Sequence, residues 1–144
     1  MDLKTLWDER AIIQGLNRFA RILDGREWGS VAEVFAQDVT FHYGDGVEQS
    51  GIRAMTKQFS RFLDACGPSQ HLLGSVFVTV TGDTGISRAY VQARHQGAKD
   101  KEHLFLDSNG EYIDKWERRP EGWRIVRRDV VWHMMQGDPS VLGA

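Results

Sequence analysis

Four runs rich in Val, Ile, Tyr, Phe and Trp, at 71–80, 86–96, 111–118 and 123–135, crowd the second half of this chain. Such runs read as strands. The breaks between them, Thr81-Gly82-Asp83-Thr84-Gly85, residues 97–110 and Arg119-Pro120-Glu121-Gly122, are turn material that joins antiparallel neighbours through hairpins or short loops. The first half reads differently. Leu6, Ile12, Ile13, Leu16, Phe19, Ala20 and Leu23 recur at spacings of three and four, so a helix buried along one side is expected over 5–23, with its stop at Gly25. A shorter helix is expected over 28–35, a β-rich run over 38–43 closed by Gly44-Asp45-Gly46, and another helix over 51–63. Helices followed by a sheet make an α+β pattern. A strongly bent, mostly antiparallel sheet wrapped around the helices would leave a cone-shaped apolar pocket between the layers.

At 144 residues the chain fits one domain spanning 1–144, and its 41% hydrophobic and 26% charged residues exclude disorder. Eighteen basic against twenty acidic residues leave a net charge of −2 with no basic run, so nucleic acid is excluded as a partner. Cys66 is the only cysteine and is expected to serve packing in a reducing compartment. The N-terminus MDLKTLWDER is charged, and no apolar run reaches the roughly 18 residues that would cross a bilayer. A cytoplasmic protein without a membrane partner is expected. No Gly-rich phosphate loop, Ser elbow, zinc motif or nucleotide fingerprint is present, so any chemistry is expected to need no cofactor or metal.

Three residues stand out against this background. Asp24 follows Leu23 at the edge of the apolar stripe, where the negative end of the helix dipole obliges a carboxylate to find a partner. His71 opens a strand, sharing parity with Leu73, Ser75 and Phe77, while Leu72, Val76, Val78 and Val80 take the other face. Given a carboxylate to fix its tautomer, it would be a natural general base. Arg128 shares an apolar row with Val126, Val130, Trp132 and Met134, and a guanidinium there must pair with a carboxylate (Asp24, Asp114 or Glu117) or stabilise an anion. His42, Tyr43, Tyr90, Arg94, His95, Tyr112, Asp114 and His133 are further strand residues able to line a cavity, with Trp116 and Trp132 as walls.

The segment Ala20-Arg21-Ile22-Leu23-Asp24, the run from Phe35 to Phe41, His71 at a strand start, and Tyr112-Ile113-Asp114-Lys115-Trp116-Glu117-Arg118 leading into Gly122-Trp123-Arg124-Ile125-Val126-Arg127-Arg128 carry a resemblance over nearly the whole chain. It is to the SnoaL-like branch of the nuclear transport factor 2-like superfamily. The resemblance implies a cone of helices on a curved mixed sheet. It also implies an Asp24–His71 dyad like that of the superfamily's dehydratases and dehydrochlorinases, with Arg128 stabilising the anion. Phe19 stands where those enzymes carry a lysine or tyrosine that touches the substrate. Tyr43, Tyr90 or Tyr112 would replace that group, and Phe41, Tyr112, Trp116 and Trp132 would contact a small hydrophobic, cyclic substrate. The implied activity is a cofactor-independent lyase or isomerase. A ligand-binding or assembly subunit, and carboxylate-based chemistry of the polyketide-cyclase or ketosteroid-isomerase kind, are the alternatives. Sheet-to-sheet homodimers or homotrimers are implied as well.

Overall fold

The computed structural model describes residues 1–144. Helix α1 (Leu3–Gly25) and a 3-10 turn (Trp28–Glu33) lead into β1 (Phe35–His42), β2 (Glu48–Ser50) and helix α2 (Ile52–Leu63). Then come β3 (Cys66–Thr81), β4 (Thr84–Gly97), β5 (Phe105–Arg119) and β6 (Gly122–Gly137). The six strands form one curled, open sheet in the order β2-β1-β6-β5-β4-β3. Only β1 and β6 pair in parallel; every other neighbour is antiparallel. No helix is long and apolar enough to cross a membrane.

Asp2 caps α1 by accepting a hydrogen bond from the Thr5 amide at 2.8 Å. The buried seam of the helix is Asp8, Ile12, Leu16, Phe19, Ala20 and Leu23, with Ile22 beside it, whereas Leu6 and Ile13 face solvent. The stripe expected from spacing was therefore too wide. Its N-terminal position belongs to Asp8, which accepts from both terminal guanidinium nitrogens of Arg118 at 2.8 Å and from the Trp123 indole at 3.1 Å. The helix ends at Gly25, and the left-handed residue that closes it is not this glycine but the next residue, Arg26, with φ 55°. The 28–35 helix is a 3-10 turn ending at Glu33, because Phe35 already belongs to β1. Residues 66–70 and 105–110 are strand rather than loop.

Bulges correct the facing of three segments. In β3 the register shifts between Gly74 and Phe77, with Ser75 at φ 48°. His71 and Leu73 therefore face inward on one side of the bulge and Val76, Val78 and Val80 on the other, while Phe77 is exposed. In β6, Val126 is an extra residue between the Arg127–Lys115 and Ile125–Trp116 pairs, which puts Trp123 and Ile125 on the same face as Arg128. His133 is a second extra residue, so that Met135 rather than Met134 accompanies Trp132 inward. Gly110 allows this second bulge: a Cβ there would lie 2.3 Å from the Val131 carbonyl oxygen.

Candidate active site

Between the concave face of the sheet and the two helices lies a cavity of about 270 Å³. Leu23 of α1, Phe59, Phe62 and Leu63 of α2, Ala93, Trp132, Met135 and Leu142 make most of its wall apolar. The polar side chains in that wall are few: Tyr43, Asp45, Gln58, His71, His95, Ser108 and Tyr112. A concave apolar site with a few convergent polar groups is the usual form of a small-ligand pocket.

At one end of the cavity, the last turn of α1 meets the first inward residues of β3. The Asp24 carboxylate accepts the His71 backbone amide at 2.9 Å and the Ser69 hydroxyl at 3.0 Å, and its Oδ1 lies 2.7 Å from His71 Nδ1. Burial pushes the Asp24 carboxyl up, but the hydrogen bonds from the His71 ring, the His71 amide and Ser69 outweigh it and hold the group below its ordinary value. A carboxylate can only accept, so Nδ1 carries the ring proton in neutral His71 and Nε2 keeps its lone pair. Nε2 makes no hydrogen bond within the protein, and His71 lines the cavity with its side chain only 6% exposed.

Arg26 supports this end of the cavity. Its guanidinium donates to the carbonyls of Leu23 at 2.7 Å, Leu63 at 3.0 Å and Gly67 at 2.6 Å, and to Ser69 Oγ at 2.7 Å. These bonds tie the ends of both helices to the start of β3 and account for a left-handed, non-glycine residue at this corner. Ser69 thus accepts from Arg26 and donates to Asp24.

His95, one strand over, packs edge-on to His71 with ring centroids 5.5 Å apart. Its Nδ1 donates to the Leu106 carbonyl at 3.0 Å, and burial, reinforced by His71 and Arg26, pushes its pKa below the ordinary histidine value. His95 is therefore neutral at pH 7 and offers Nε2 as an acceptor.

Arg128 lies outside the cavity wall and is fully buried. It forms a bidentate pair with Asp114, Nε to Oδ1 at 2.7 Å and Nη2 to Oδ2 at 2.8 Å. Of the three carboxylates open to it in the sequence, the structure selects Asp114, its direct cross-strand neighbour. Burial holds the Asp114 carboxyl above its ordinary value although Arg128 opposes the rise; the guanidinium keeps its charge, and the bidentate contact favours the ionised carboxylate against it. The remaining nitrogen, Nη1, donates to the Tyr43 hydroxyl at 3.3 Å. Tyr43 and Tyr112 are neutral phenols, because burial raises the pKa of both. Arg128 thus reaches the cavity through Tyr43.

Phe19 packs against this cation: the Arg128 guanidinium carbon sits 4.3 Å from the Phe19 ring centroid, 4.0 Å from Tyr112 and 5.0 Å from Phe35. A lysine at this position would set a second cation beside Arg128, so an aromatic residue suits the buried ion pair. Phe41 is core beneath Tyr43, with ring centroids 6.5 Å apart, and Trp116 donates its indole N–H to Ser87 at 2.8 Å. Phe19, Phe41 and Trp116 lie behind the cavity wall, while Tyr43, Tyr112 and Trp132 form part of it. Tyr90 is half exposed and does not line it.

Ser69, Arg26, Gln58 and Ser108 escaped the reading of the sequence. Ser69 shares parity with His71, and Gln58 interrupts the Met55-Phe59-Leu63 face of α2, and these local signals are the ones that mark them. Arg26 carried none, because nothing in the local sequence tells that its side chain folds back across three segments.

An uncharacterized protein of Mycobacterium tuberculosis is 31% identical to this chain over 122 residues, covering 84% of this chain and 82% of the other. Among solved structures, a candidate aromatic ring hydroxylase from Novosphingobium aromaticivorans is 27% identical, with a TM-score of 0.84 over 94% of this chain and 96% of that one. A candidate scytalone dehydratase from the same species (21% identity, TM-score 0.80, 92% and 88% covered) shares the fold. So does the hexachlorocyclohexane dehydrochlorinase of Novosphingobium barchaimii (14%, 0.83, 96% and 94%). The sequence profile of the SnoaL-like domain matches residues 4–129, from the first turn of α1 into the middle of β6, and the chain belongs to the SnoaL-like domain family.

Proposed function

We propose that this protein is a cofactor-independent lyase that eliminates water or a hydrogen halide from a small hydrophobic cyclic substrate. The observation that carries the proposal is the 2.7 Å contact between Asp24 and His71 Nδ1, which leaves Nε2 without a protein partner at the wall of an apolar cavity. Nε2 removes a proton from carbon, the C–H electrons form the new double bond, and the bond to the leaving group breaks. Asp24 fixes the tautomer and stabilises the imidazolium. A departing hydroxide takes the proton back from His71, whereas a halide leaves as the anion and His71 releases its proton to solvent. Tyr43 and Tyr112 donate to the developing negative charge, and Arg128, a positioning residue, polarises the Tyr43 hydroxyl from behind.

The test is a panel of cyclic β-hydroxy and β-halo ketones, followed by the ultraviolet absorbance of the conjugated enone that elimination would produce. Wild-type protein is expected to form enone from at least one of them above the rate in buffer. Enone formation no faster than buffer across the panel would overturn the assignment.

A further inference from the structure

Helix α2 brings one polar side chain, Gln58, into the cavity wall among Phe59, Phe62 and Leu63. It is 7% exposed. Its Oε1 accepts from Gln49 Nε2 at 2.6 Å, and Gln49 is fixed opposite Phe41 in the β2–β1 ladder. The amide plane is thereby anchored to the sheet. Gln58 Nε2 makes no hydrogen bond within the protein, so this mostly buried residue offers free amide donors in the stretch of wall that α2 otherwise lines with Phe59, Phe62 and Leu63. Nε2 keeps solvent access through the cavity, so it stands ready to donate to a ligand oxygen that displaces water there.

The position of this donor limits what it can bind. The Leu63 carbonyl accepts from Arg26, which also holds Ser69, so the C-terminal end of α2 sits beside the dyad. Gln58 lies five residues earlier, about 7–8 Å along the helix axis at 1.5 Å per residue. A separation of that order suits one six-membered ring contacted at opposite edges. Asp45, in the turn between β1 and β2, also lines the cavity, and its carboxylate disfavours an anionic ligand oxygen.

We infer that Gln58 is a specificity-determining donor, and that the cavity selects a neutral ring carrying an acceptor oxygen, a ketone in the simplest case, on the side remote from His71. This rests on the cavity being the substrate site of the proposed elimination. The probes are 4-ethylcyclohexanone and its hydrocarbon isostere 1-ethyl-4-methylidenecyclohexane, titrated against wild type, Gln58→Leu and Gln58→Glu with Kd read from NMR shifts of cavity residues. Wild type is expected to bind the ketone about tenfold more tightly than the isostere, the effect of one hydrogen bond. Both variants should lose that preference while binding the isostere as before. Equal affinities in wild type, a preference that survives in Gln58→Leu, or no shift with either probe would overturn the inference. Neither probe carries a leaving group, so the result is read without turnover: failure here is an absent ketone preference, whereas failure of the elimination reading is absent enone.

Discussion

Replacing Asp114 by Ala is expected to lower the free energy of unfolding by about 3–5 kcal/mol, measured by denaturant titration. The carboxylate and Arg128 are both wholly inaccessible, and the guanidinium keeps its charge when its partner is removed. What remains is a cation against Phe19, Phe35 and Tyr112, with only the Tyr43 hydroxyl left to receive it. The aromatic faces offset a part of that cost, each contact contributing roughly 0.5–2 kcal/mol. Removing both charges together, as Asp114→Leu with Arg128→Met, is expected to be far milder, because no buried charge is stranded. A loss below about 1 kcal/mol in Asp114→Ala would show that the pair does not hold β5 and β6 together as described.

The largest effect on activity is expected from His71→Gln. Once a substrate has been found, its turnover should fall by about 10²–10⁴, the usual contribution of a positioned general base. Stability should change little, because the variant amide can still donate to Asp24 and the loss is of the order of one hydrogen bond, about 0.5–1.5 kcal/mol. The two substitutions therefore separate two roles: Asp114, behind the cavity wall, acts on the fold, and His71, in the wall, on the chemistry. Unchanged turnover in His71→Gln would remove the base from the mechanism.

How much of this could be read from the residues depended on whether the information was local. The apolar spacing of α1 and the turn signals around Gly82 and Pro120 are local, and they placed the helix and the hairpins of β3–β4 and β5–β6. The Asp24–His71 contact joins residues 47 positions apart, and the expectation that the two act together comes from the resemblance rather than from spacing. The apolar row marks Arg128 as a cation that either pairs with a carboxylate or stabilises an anion, but choosing Asp114 requires the β5–β6 register. Two bulges in β6 set that strand's facing, and nothing in the alternation of residues 123–135 announces an extra residue at Val126 or His133. The parallel β1–β6 pairing, which brings Tyr43 to Arg128, joins distant ends of the chain and is equally silent in local pattern. Arg26 and Gln58 matter through contacts made only after the helix ends and the sheet have met.

In the proposed mechanism His71 presents an unprotonated Nε2 to the cavity because Asp24 holds the proton on Nδ1. Long-range ¹H–¹⁵N correlation spectra of the neutral His71 ring, in wild type and in Asp24→Ala, test this without a substrate. The predicted result is the Nδ1–H tautomer in wild type and a shift toward Nε2–H in the variant; Nε2–H in wild type, or the same tautomer in both proteins, would contradict it.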